Sequence, residues 1–347
     1  DKLNVIAHGV LLDPVRLVRE IKDARSKGLH VSPTNLVISD MAHIVLPKHK
    51  SQDTARELTN KAQGSTKAGI AYAASDKSLR IGVRVDAIRT KTKEELHQIA
   101  VAGLISDNAE QRAAKFADAA VQLQPYIQDT PAILNNLLDD GKNVLVEGAQ
   151  AFGLDINHGK YPYTTSTGTT VPALIEGTGI NPKRAGRVVG VVKATPSKVG
   201  GGSFVSKIED DAVAETTRGK KGEVDGEYGA TTGRQREVGY LDLVQLKRAI
   251  QINGVDDIAL TKFDCIKRHG PSTKIAVAYQ CDGQELLVPP NSDDDLAQCQ
   301  PVYKTFPTWE DDASSEAQDY LAFIEDYLGT PVSIVGNGPG RDQVILR

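Results

Sequence analysis

The 347-residue sequence has little of what marks a cross-linked, secreted or membrane protein. Its three cysteines, Cys265, Cys281 and Cys299, are too few and too odd in number for a disulfide framework, and their spacing suits no metal. No apolar run reaches the ~18 residues that a membrane-spanning helix requires. The N-terminus lacks a basic region followed by a long apolar stretch, so no signal peptide is predicted. These absences favour a cytoplasmic protein.

Neither sign of charge dominates the sequence. Lys and Arg number 41 against 45 for Asp and Glu, a formal net charge of −4, which lacks the basic excess of duplex nucleic-acid binders. The 40% hydrophobic and 25% charged content is that of a globular protein, not of a disordered chain. The seven histidines form no zinc-type arrangement. We therefore predict that the protein binds no nucleic acid and that the sequence contains no catalytic histidine and no metal ligand.

Short apolar runs alternate with segments of helical periodicity. Strands are predicted at residues 4–7, 35–38, 143–148, 187–193, 258–262 and 331–335. Helices are predicted from Asp13-Pro14 to Gly28, from Thr92, through 109–139, and at 241–254 and 315–329, with a loop at 209–229. This alternation predicts an α/β fold, a mostly parallel twisted sheet with helices on both faces, in a single domain over residues 1–347.

Ligands of such sheets bind beyond the carboxyl ends of the strands, which directs attention to the segments that follow them. Several are rich in glycine and hydroxyl side chains: residues 64–69, 147–153, 161–170, 198–204, 229–236, 261–264 and 336–341. Glycine lets the backbone approach a ligand closely, and hydroxyls with helix N-termini bind phosphate. Each segment taken alone is also consistent with an ordinary turn.

Two of these segments carry the most chemical information. Residues 229–236 place two threonines between Gly229 and Gly233, and the guanidinium forks of Arg234 and Arg236 follow. This arrangement suits a carboxylate or phosphate; a basic solvated loop is the alternative. In residues 261–264, the Asp264 carboxylate can accept hydrogen bonds from N1–H and the 2-amino group of guanine while the Lys262 stem covers the ring. Adenine offers no such donor pair, although a surface ion pair is the plainer alternative.

Taken together and in this order, the segments resemble the adenylosuccinate synthetase family over essentially the whole chain. The resemblance rests on Glu147-Gly148-Ala149-Gln150, Tyr161-Pro162-Tyr163, Gly229 to Arg234, Gly239 to Asp242, Thr261 to Asp264, and Gly338-Pro339-x-Arg341. It implies a P-loop-NTPase-like synthetase fold with insertions and a homodimer. It also implies GTP-dependent, Mg²⁺-dependent ligation of L-aspartate to IMP through 6-phosphoryl-IMP, in AMP biosynthesis.

The resemblance also implies site residues, motif by motif. Those expected to bind IMP are Ser65, Thr66, Gln150, Thr165 and Arg234, with Arg80 reaching the IMP phosphate of a partner subunit. Those expected to bind aspartate are Val199, Thr231, Thr232, Arg234 and Arg236. Those expected to bind GTP are Arg236, Lys262, Asp264, Gly336 and Gly338.

The sequence departs from the family at its front. The family's Gly-Asp-Glu-Gly-Lys-Gly-Lys loop and Asn-Ala-Gly-His stretch, which supply the catalytic aspartate and histidine and the Mg²⁺ ligand, do not occur, so no catalytic residue is predicted here. We expect this sequence to be a truncated version of a complete enzyme. The alternatives are an inactive nucleotide-binding homologue and a phage-type branch that joins aspartate to dGMP. A NAD-type oxidoreductase is disfavoured because no Gly-x-Gly-x-x-Gly opens a helix, and an interaction protein would not need so many hydroxyl-glycine loops.

Overall fold

The computed structural model describes residues 2–59, 64–229 and 233–347. The chain divides into two compact units, and each is described by itself. The first unit comprises residues 1–151 and 165–185, and the second comprises residues 152–164 and 186–347. The single domain over residues 1–347 stays a prediction. Within the described ranges, no helix combines the length and the apolar composition needed to cross a bilayer.

The first unit packs helices around a short parallel sheet. Its strands are β1 (Asn4–Ile6), β2 (Leu11–Leu12), β3 (Leu36–Ser39), β4 (His43–Ile44) and β5 (Ile127–Gln128). Its helices are α1 (Pro14–Ser26), α2 (Pro47–Arg56), α3 (Ile70–Leu79), α4 (Lys93–Val101), α5 (Ala109–Leu123), α6 (Thr130–Asp139) and α7 (Val171–Thr178). Strand β3 lies between β1 and β5 and is parallel to both. Its Ile38 and the α5 residue Phe116 are fully buried in the same core.

Local capping explains where several of these helices begin. The Asp13 carboxylate accepts the Val15 N–H at 3.1 Å, which confirms the predicted start of α1. At α4, the Thr92 N–H donates to the Glu95 carboxylate at 2.8 Å, and the Glu95 N–H donates back to the Thr92 hydroxyl at 3.3 Å. The largely helical stretch predicted over 109–139 consists of two helices, α5 and α6. A short 3-10 turn with a proline, Gln124–Tyr126, and then β5 separate α5 from α6.

The second unit contains two larger sheets. Its strands are β6 (Val189–Lys193), β7 (Ser197–Lys198), β8 (Glu237–Val238), β9 (Leu241–Asp242), β10 (Asp257–Thr261), β11 (Ser272–Cys281), β12 (Gln284–Leu286), β13 (Gln300–Pro307), β14 (Val332–Gly336) and β15 (Val344–Leu346). Its helices are α8 (Asp211–Arg218), α9 (Leu243–Asn253), α10 (Asp293–Ala297) and α11 (Ser315–Leu328). One sheet has the order β15-β14-β10-β6, in which β6, β10 and β14 are parallel. The other is built on β11, antiparallel to β12 and β13. The α/β class with parallel sheets is confirmed.

Three sequence expectations are corrected. Residues 143–148 form no strand, and Leu145 is 93% exposed, because an apolar run becomes a strand only where another strand pairs with it. The stretch 209–229 is not all loop, since the Asp210 side chain caps α8. Cys281 and Cys299 form a disulfide, because antiparallel pairing of β11 with β13 brings their Cα atoms within 4.4 Å.

Candidate functional site

The loop at residues 64–69 is held against α2 by one buried carboxylate. The Oδ2 atom of Asp53 accepts hydrogen bonds from the Ser65 hydroxyl at 2.9 Å and from the Gly69 N–H at 2.8 Å. Asp53 lies in α2 and is only 4% exposed. The Ser65 hydroxyl also accepts the Lys67 N–H at 3.0 Å. Ser65 therefore organises the loop, and its hydroxyl proton is already committed to Asp53.

Two other residues expected to bind IMP, Thr66 and Arg80, are exposed to solvent. Thr66 lies in the same loop as Ser65. Arg80 ends α3 in the left-handed conformation, with a φ of 64°. Helices often end on a left-handed residue, usually a glycine, and an arginine there is unusual. Both side chains are accessible to an anion from solution.

Hydroxyl-bearing residues lead directly into α7. Residues 164–170 precede its first residue, Val171, and Thr170 is its N-cap. The first N–H groups of a helix have no intrahelical partner and attract anions. Thr165 is half-buried in this segment, whereas Gln150 is exposed at a turn with a φ of 71°. The segment therefore has the helix N-terminus that its sequence suggests for phosphate binding.

In the second unit, Gly201 and Gly202 pack against the ring of Tyr163. A Cβ atom on Gly201 would lie 2.6 Å from Cδ1 of Tyr163, and one on Gly202 would lie 2.9 Å from Cδ2. The Lys198 ammonium donates to the Gly202 carbonyl. These glycines are required for the close approach of the loop to an aromatic ring. That packing fixes the backbone next to Val199, which is half-buried.

Replacing Gly201 with alanine should destabilise the second unit by about 1–3 kcal/mol, the usual effect of overpacking. The change forces the added methyl group against Tyr163. Chemical unfolding followed by fluorescence of Trp309, the one tryptophan of the sequence, measures it. The matched control is Gly186→Ala, because nothing lies within 4 Å of a Cβ atom built there. Equal stability of the two variants would contradict the packing explanation.

Backbone hydrogen bonds pair Glu227 and Gly229 with the two arginines of the stretch at residues 229–236. The Gly229 N–H donates to the Arg234 carbonyl at 2.8 Å, and the Arg236 N–H donates to the Glu227 carbonyl at 3.0 Å. Arg234 is exposed, whereas Arg236 is half-buried. Two further residues expected to bind aspartate lie outside the described residues: Thr231 and Thr232.

One buried carboxylate, Glu227, collects three cationic side chains. Its Oε1 atom accepts from the ammonium groups of Lys262 at 2.5 Å and Lys193 at 2.9 Å. Its Oε2 atom accepts from the Arg236 guanidinium at 2.9 Å and from the Ser197 hydroxyl at 2.6 Å. We call these five residues the Glu227 cluster. Three cations against one carboxylate leave two positive charges unbalanced within it.

The electrostatics keep this carboxyl group ionised. The Glu227 side chain is 3% exposed. Burial alone raises its pKa, but hydrogen bonds from Lys262, Ser197 and Lys193 outweigh burial and lower the pKa to about 2. The cluster therefore holds a charged glutamate at neutral pH.

The carboxyl ends of three parallel strands meet beside this cluster. Strand β6 ends at Lys193, β10 at Thr261 and β14 at Gly336. Thr261 is the register partner of Lys193, and a Cβ atom on Gly336 would lie 3.4 Å from the Thr261 Cα. Ligands of open parallel sheets bind at this edge. Lys262, which follows Thr261, therefore lies at the edge where a ligand is expected.

Asp264 is presented by an anchored turn. Lys262 adopts a left-handed backbone with a φ of 58°, and the chain enters a 3-10 helix, Phe263–His269. Phe263 is 1% exposed, and its ring centroid lies 4.8 Å from that of Trp309. The half-buried Asp264 carboxylate accepts a weak hydrogen bond from the Cys265 thiol at 3.7 Å. Packing of Phe263 thus fixes the residues on either side of it.

The segment after β14 contains an unpaired buried acceptor. Gly338 has a φ of 144°, and its close approach to Gln343 leaves no room for a Cβ atom. The neighbouring Asn337 donates its N–H to the Gln343 carbonyl at 2.8 Å. The buried Oδ1 atom of Asn337 has no hydrogen-bond partner within the described part of the chain. An unpaired buried acceptor costs about 1–3 kcal/mol unless a ligand or a water molecule donates to it. Asn337 is therefore a candidate ligand-binding residue.

The structure brings most of the residues expected to bind GTP together in the second unit. Arg236 and Lys262 share one carboxylate, and Lys262 lies at the same sheet edge as Gly336. The first unit holds five residues expected to bind IMP, in four separate segments: Ser65 and Thr66 share one loop, and Arg80, Gln150 and Thr165 lie in three others. Sequence reasoning missed four organising or charged residues: Asp53, Lys193, Ser197 and Glu227. Only Lys193 had a sequence signal, its position at the end of a predicted strand.

Comparison with known proteins gives independent information. A family model described as adenylosuccinate synthetase matches residues 1–345. Similar curated proteins of that name include those of Desulfatibacillum aliphaticivorans, 36% identical, and Caldicellulosiruptor bescii, 38% identical. Both alignments cover 100% of this chain, and they cover 84% and 85% of the relatives, respectively.

Solved structures show the same relationship. The structure of fully ligated adenylosuccinate synthetase from Plasmodium falciparum matches with a TM-score of 0.90 and 30% identity, covering 99% of this chain and 85% of that one. A succinoaminodeoxyadenylate synthetase of cyanophage S-2L, bound to dGMP and dATP, matches with a TM-score of 0.60 and 21% identity, covering 99% of this chain and 76% of that one. This second likeness concerns the fold alone.

Proposed function

Because the chain belongs to the adenylosuccinate synthetase family, we propose that it joins L-aspartate to IMP at the expense of GTP. The γ-phosphoryl group of GTP moves to O6 of IMP and leaves GDP. The aspartate amine then attacks C6, forms the C–N bond and displaces phosphate. The family consists of GTP-binding ligases of purine biosynthesis. Such a reaction requires several anions to be held together, which suits arginines, lysines and backbone amides.

The single observation that carries this proposal is the position of the Glu227 cluster. It holds Lys193, Arg236 and Lys262 at the carboxyl ends of parallel strands, with a surplus of positive charge. The anionic substrates of this reaction need cationic groups of this kind, and Arg236 offers a fork for a carboxylate or a phosphate.

In this proposal, Asp264 selects guanine over adenine. Its carboxylate accepts hydrogen bonds from N1–H and the 2-amino group, a pair that adenine lacks. Gly336 and Gly338 lie on the other side of the base, where the absence of Cβ atoms lets this segment pack against Thr261 and Gln343. The Lys262 stem covers the ring while its ammonium group stays on Glu227.

The remaining roles follow the family pattern. Thr66 and Thr165, the latter ahead of the α7 N-terminus, bind the IMP phosphate and ribose, and Gln150 contributes its amide. The backbone at Val199 and the forks of Arg234 and Arg236 bind the aspartate carboxylates. In a homodimer, Arg80 reaches the IMP phosphate of the other subunit. A cytoplasmic location is the expectation from the family.

The family also implies Mg²⁺ on the GTP phosphates, where a divalent cation neutralises developing charge. Within residues 2–59, 64–229 and 233–347, no group of three His, Cys, Asp or Glu side chains is arranged to hold a metal ion. Mg²⁺ on a nucleotide needs only one or two carboxylates besides the phosphates, so this finding concerns all-protein sites, and we derive no step through Mg²⁺.

The test is product formation by the purified protein, with its intact mass measured on the same sample, because the residues expected to be catalytic do not occur in residues 1–347. We expect a succinylated nucleotide, detected by mass spectrometry, only when IMP, aspartate, GTP and Mg²⁺ are all present. Parallel reactions replace IMP with dGMP, and GTP with ATP. Equilibrium binding of GTP and of IMP is measured on the same sample.

Each other outcome contradicts the proposal in its own way. Product from dGMP but not from IMP would assign the chain to the phage-type reaction. Binding of both nucleotides without any product would make it a nucleotide-binding homologue that does no chemistry. Absence of binding to either nucleotide would remove the nucleotide site altogether.

A further inference from the structure

Glu227 connects parts of the second unit that are distant in sequence. Lys193 ends β6, Lys262 follows β10, and Arg236 precedes β8. Glu227 itself lies in the loop after α8. Its N–H donates to the Arg218 carbonyl at 2.8 Å, which fixes its backbone. One side chain thereby ties the arginine stretch to two neighbouring strand ends.

The three cations differ from Glu227 in exposure. The glutamate side chain is 3% exposed, whereas those of Lys193, Arg236 and Lys262 are 34%, 29% and 21% exposed, respectively. Each cation thus has one face on the buried carboxylate and another open to solvent. A ligand that approaches from solution meets the cations and does not reach the glutamate.

Three like charges would not hold this arrangement by themselves. Their mutual repulsion raises the free energy of any conformation that groups them, and long lysine side chains lose rotamer entropy when they are fixed. A central carboxylate offsets both costs. Ser197 adds a hydroxyl bond of 2.6 Å that fixes the orientation of the carboxylate.

We propose that Glu227 is a positioning residue for nucleotide binding, which holds Arg236, Lys262 and Lys193 in place as one preformed site for GTP. Glu227 does not touch the nucleotide. It acts by fixing the cations in advance, so that binding does not have to order them. This inference rests on the proposed function, since it names how that same site is kept ready.

A positioning role for Glu227 and simple electrostatics predict opposite changes in the affinity for GTP. Glu227→Gln removes one negative charge next to the site but keeps the shape of the side chain. If only net charge mattered, GTP would bind the variant more tightly. If Glu227 positions the cations, GTP binding weakens although the site has become more positive. We expect about tenfold weaker binding, the size of losing about 1.4 kcal/mol of preorganisation.

The experiment titrates a fluorescent GTP analogue into the wild type, Glu227→Gln and Ser197→Ala. Ser197→Ala leaves every charge in place, so it tests the orientation of the carboxylate even if Glu227→Gln fails to fold. We expect it to weaken binding about threefold, as for one lost neutral hydrogen bond. Glu215→Gln is the matched control, an exposed glutamate of α8. Circular dichroism confirms that each variant is folded. The dissociation constant and the fraction of protein that is competent to bind are fitted as two separate parameters.

The outcomes separate this inference from the proposed function. Absence of GTP binding by the wild type would overturn the proposed function and this inference with it. Binding by the wild type with unchanged or tighter binding by Glu227→Gln would overturn the positioning role alone. A loss seen only in the fraction of competent sites, with an unchanged dissociation constant, would also overturn it, because that is what a merely structural role produces. If Glu227→Gln does not fold, an unchanged dissociation constant for Ser197→Ala decides against it.

Discussion

Replacing Asp264 with asparagine should weaken GTP binding by about 30- to 100-fold, a loss of about 2–3 kcal/mol typical of charge-assisted hydrogen bonds. The carboxylate can accept N1–H and the 2-amino group of guanine together. An asparagine accepts with one atom only and presents its own N–H₂ to the second donor. Within the described residues, Asp264 shows one side-chain hydrogen bond, the weak one from the Cys265 thiol. Its carboxylate is therefore available to a ligand.

Comparison of GTP with inosine triphosphate, which lacks the 2-amino group, tests the geometry of this contact. The wild type should prefer GTP about tenfold, and Asp264→Asn should reduce that preference to about threefold or less. The control is Asp319→Asn, an exposed position in α11. An unchanged preference in Asp264→Asn, or an equal loss in the control, would contradict guanine recognition by Asp264.

Acidification should remove about 3 kcal/mol from the free energy of unfolding of the second unit through His269 alone. Burial lowers the pKa of His269 from 6.5 to about 4. The unfolded chain therefore takes up this proton first. Stability from the neutral ring is fully present above pH 6.5 and is lost as the pH falls towards 4. His269 is 4% exposed. Its Nδ1 atom is hydrogen-bonded to the Thr273 hydroxyl at 2.8 Å, and its ring packs edge-to-face with that of Tyr240.

The measurement is chemical unfolding followed by Trp309 fluorescence at several pH values between about 7 and about 4. Trp309 belongs to the core of the second unit, so it reports on the unit that contains His269. His269→Gln should show a smaller loss of stability over this range than the wild type. His158→Gln, at an exposed position of the same unit, should behave like the wild type. Equal pH dependence in all three proteins would exclude His269 as the source.

Elements defined by local chemistry could be predicted from the sequence. The cap at Asp13, the reciprocal bonds of Thr92 with Glu95 and the end of α9 at Gly254 all depend on residues a few positions apart. Strands β6, β10 and β14 were found because runs of branched apolar residues mark buried parallel strands. Residues 143–148 have the same composition but form no strand, since composition does not supply a partner.

The candidate site divides in the same way. Lys262 and Asp264 could be proposed as guanine contacts from the sequence, because both belong to one short segment whose chemistry matches guanine. Glu227 could not, because its partner Lys193 is 34 residues away and only folding makes them neighbours. Nothing distinguishes Glu227 within a polar stretch that also contains other carboxylates.

The sequence by itself determined the family, the α/β class and the ends of the best-capped helices, and it suggested which residue types would bind anions and guanine. Tertiary structure alone decided that Asp53 holds the Ser65 loop, that Glu227 gathers three cations, and that Cys281 pairs with Cys299. The physical reason is range. Capping and helix or strand preference act between residues close in the chain, whereas hydrogen bonds, ion pairs and strand pairing depend on distances that exist only after the chain has folded.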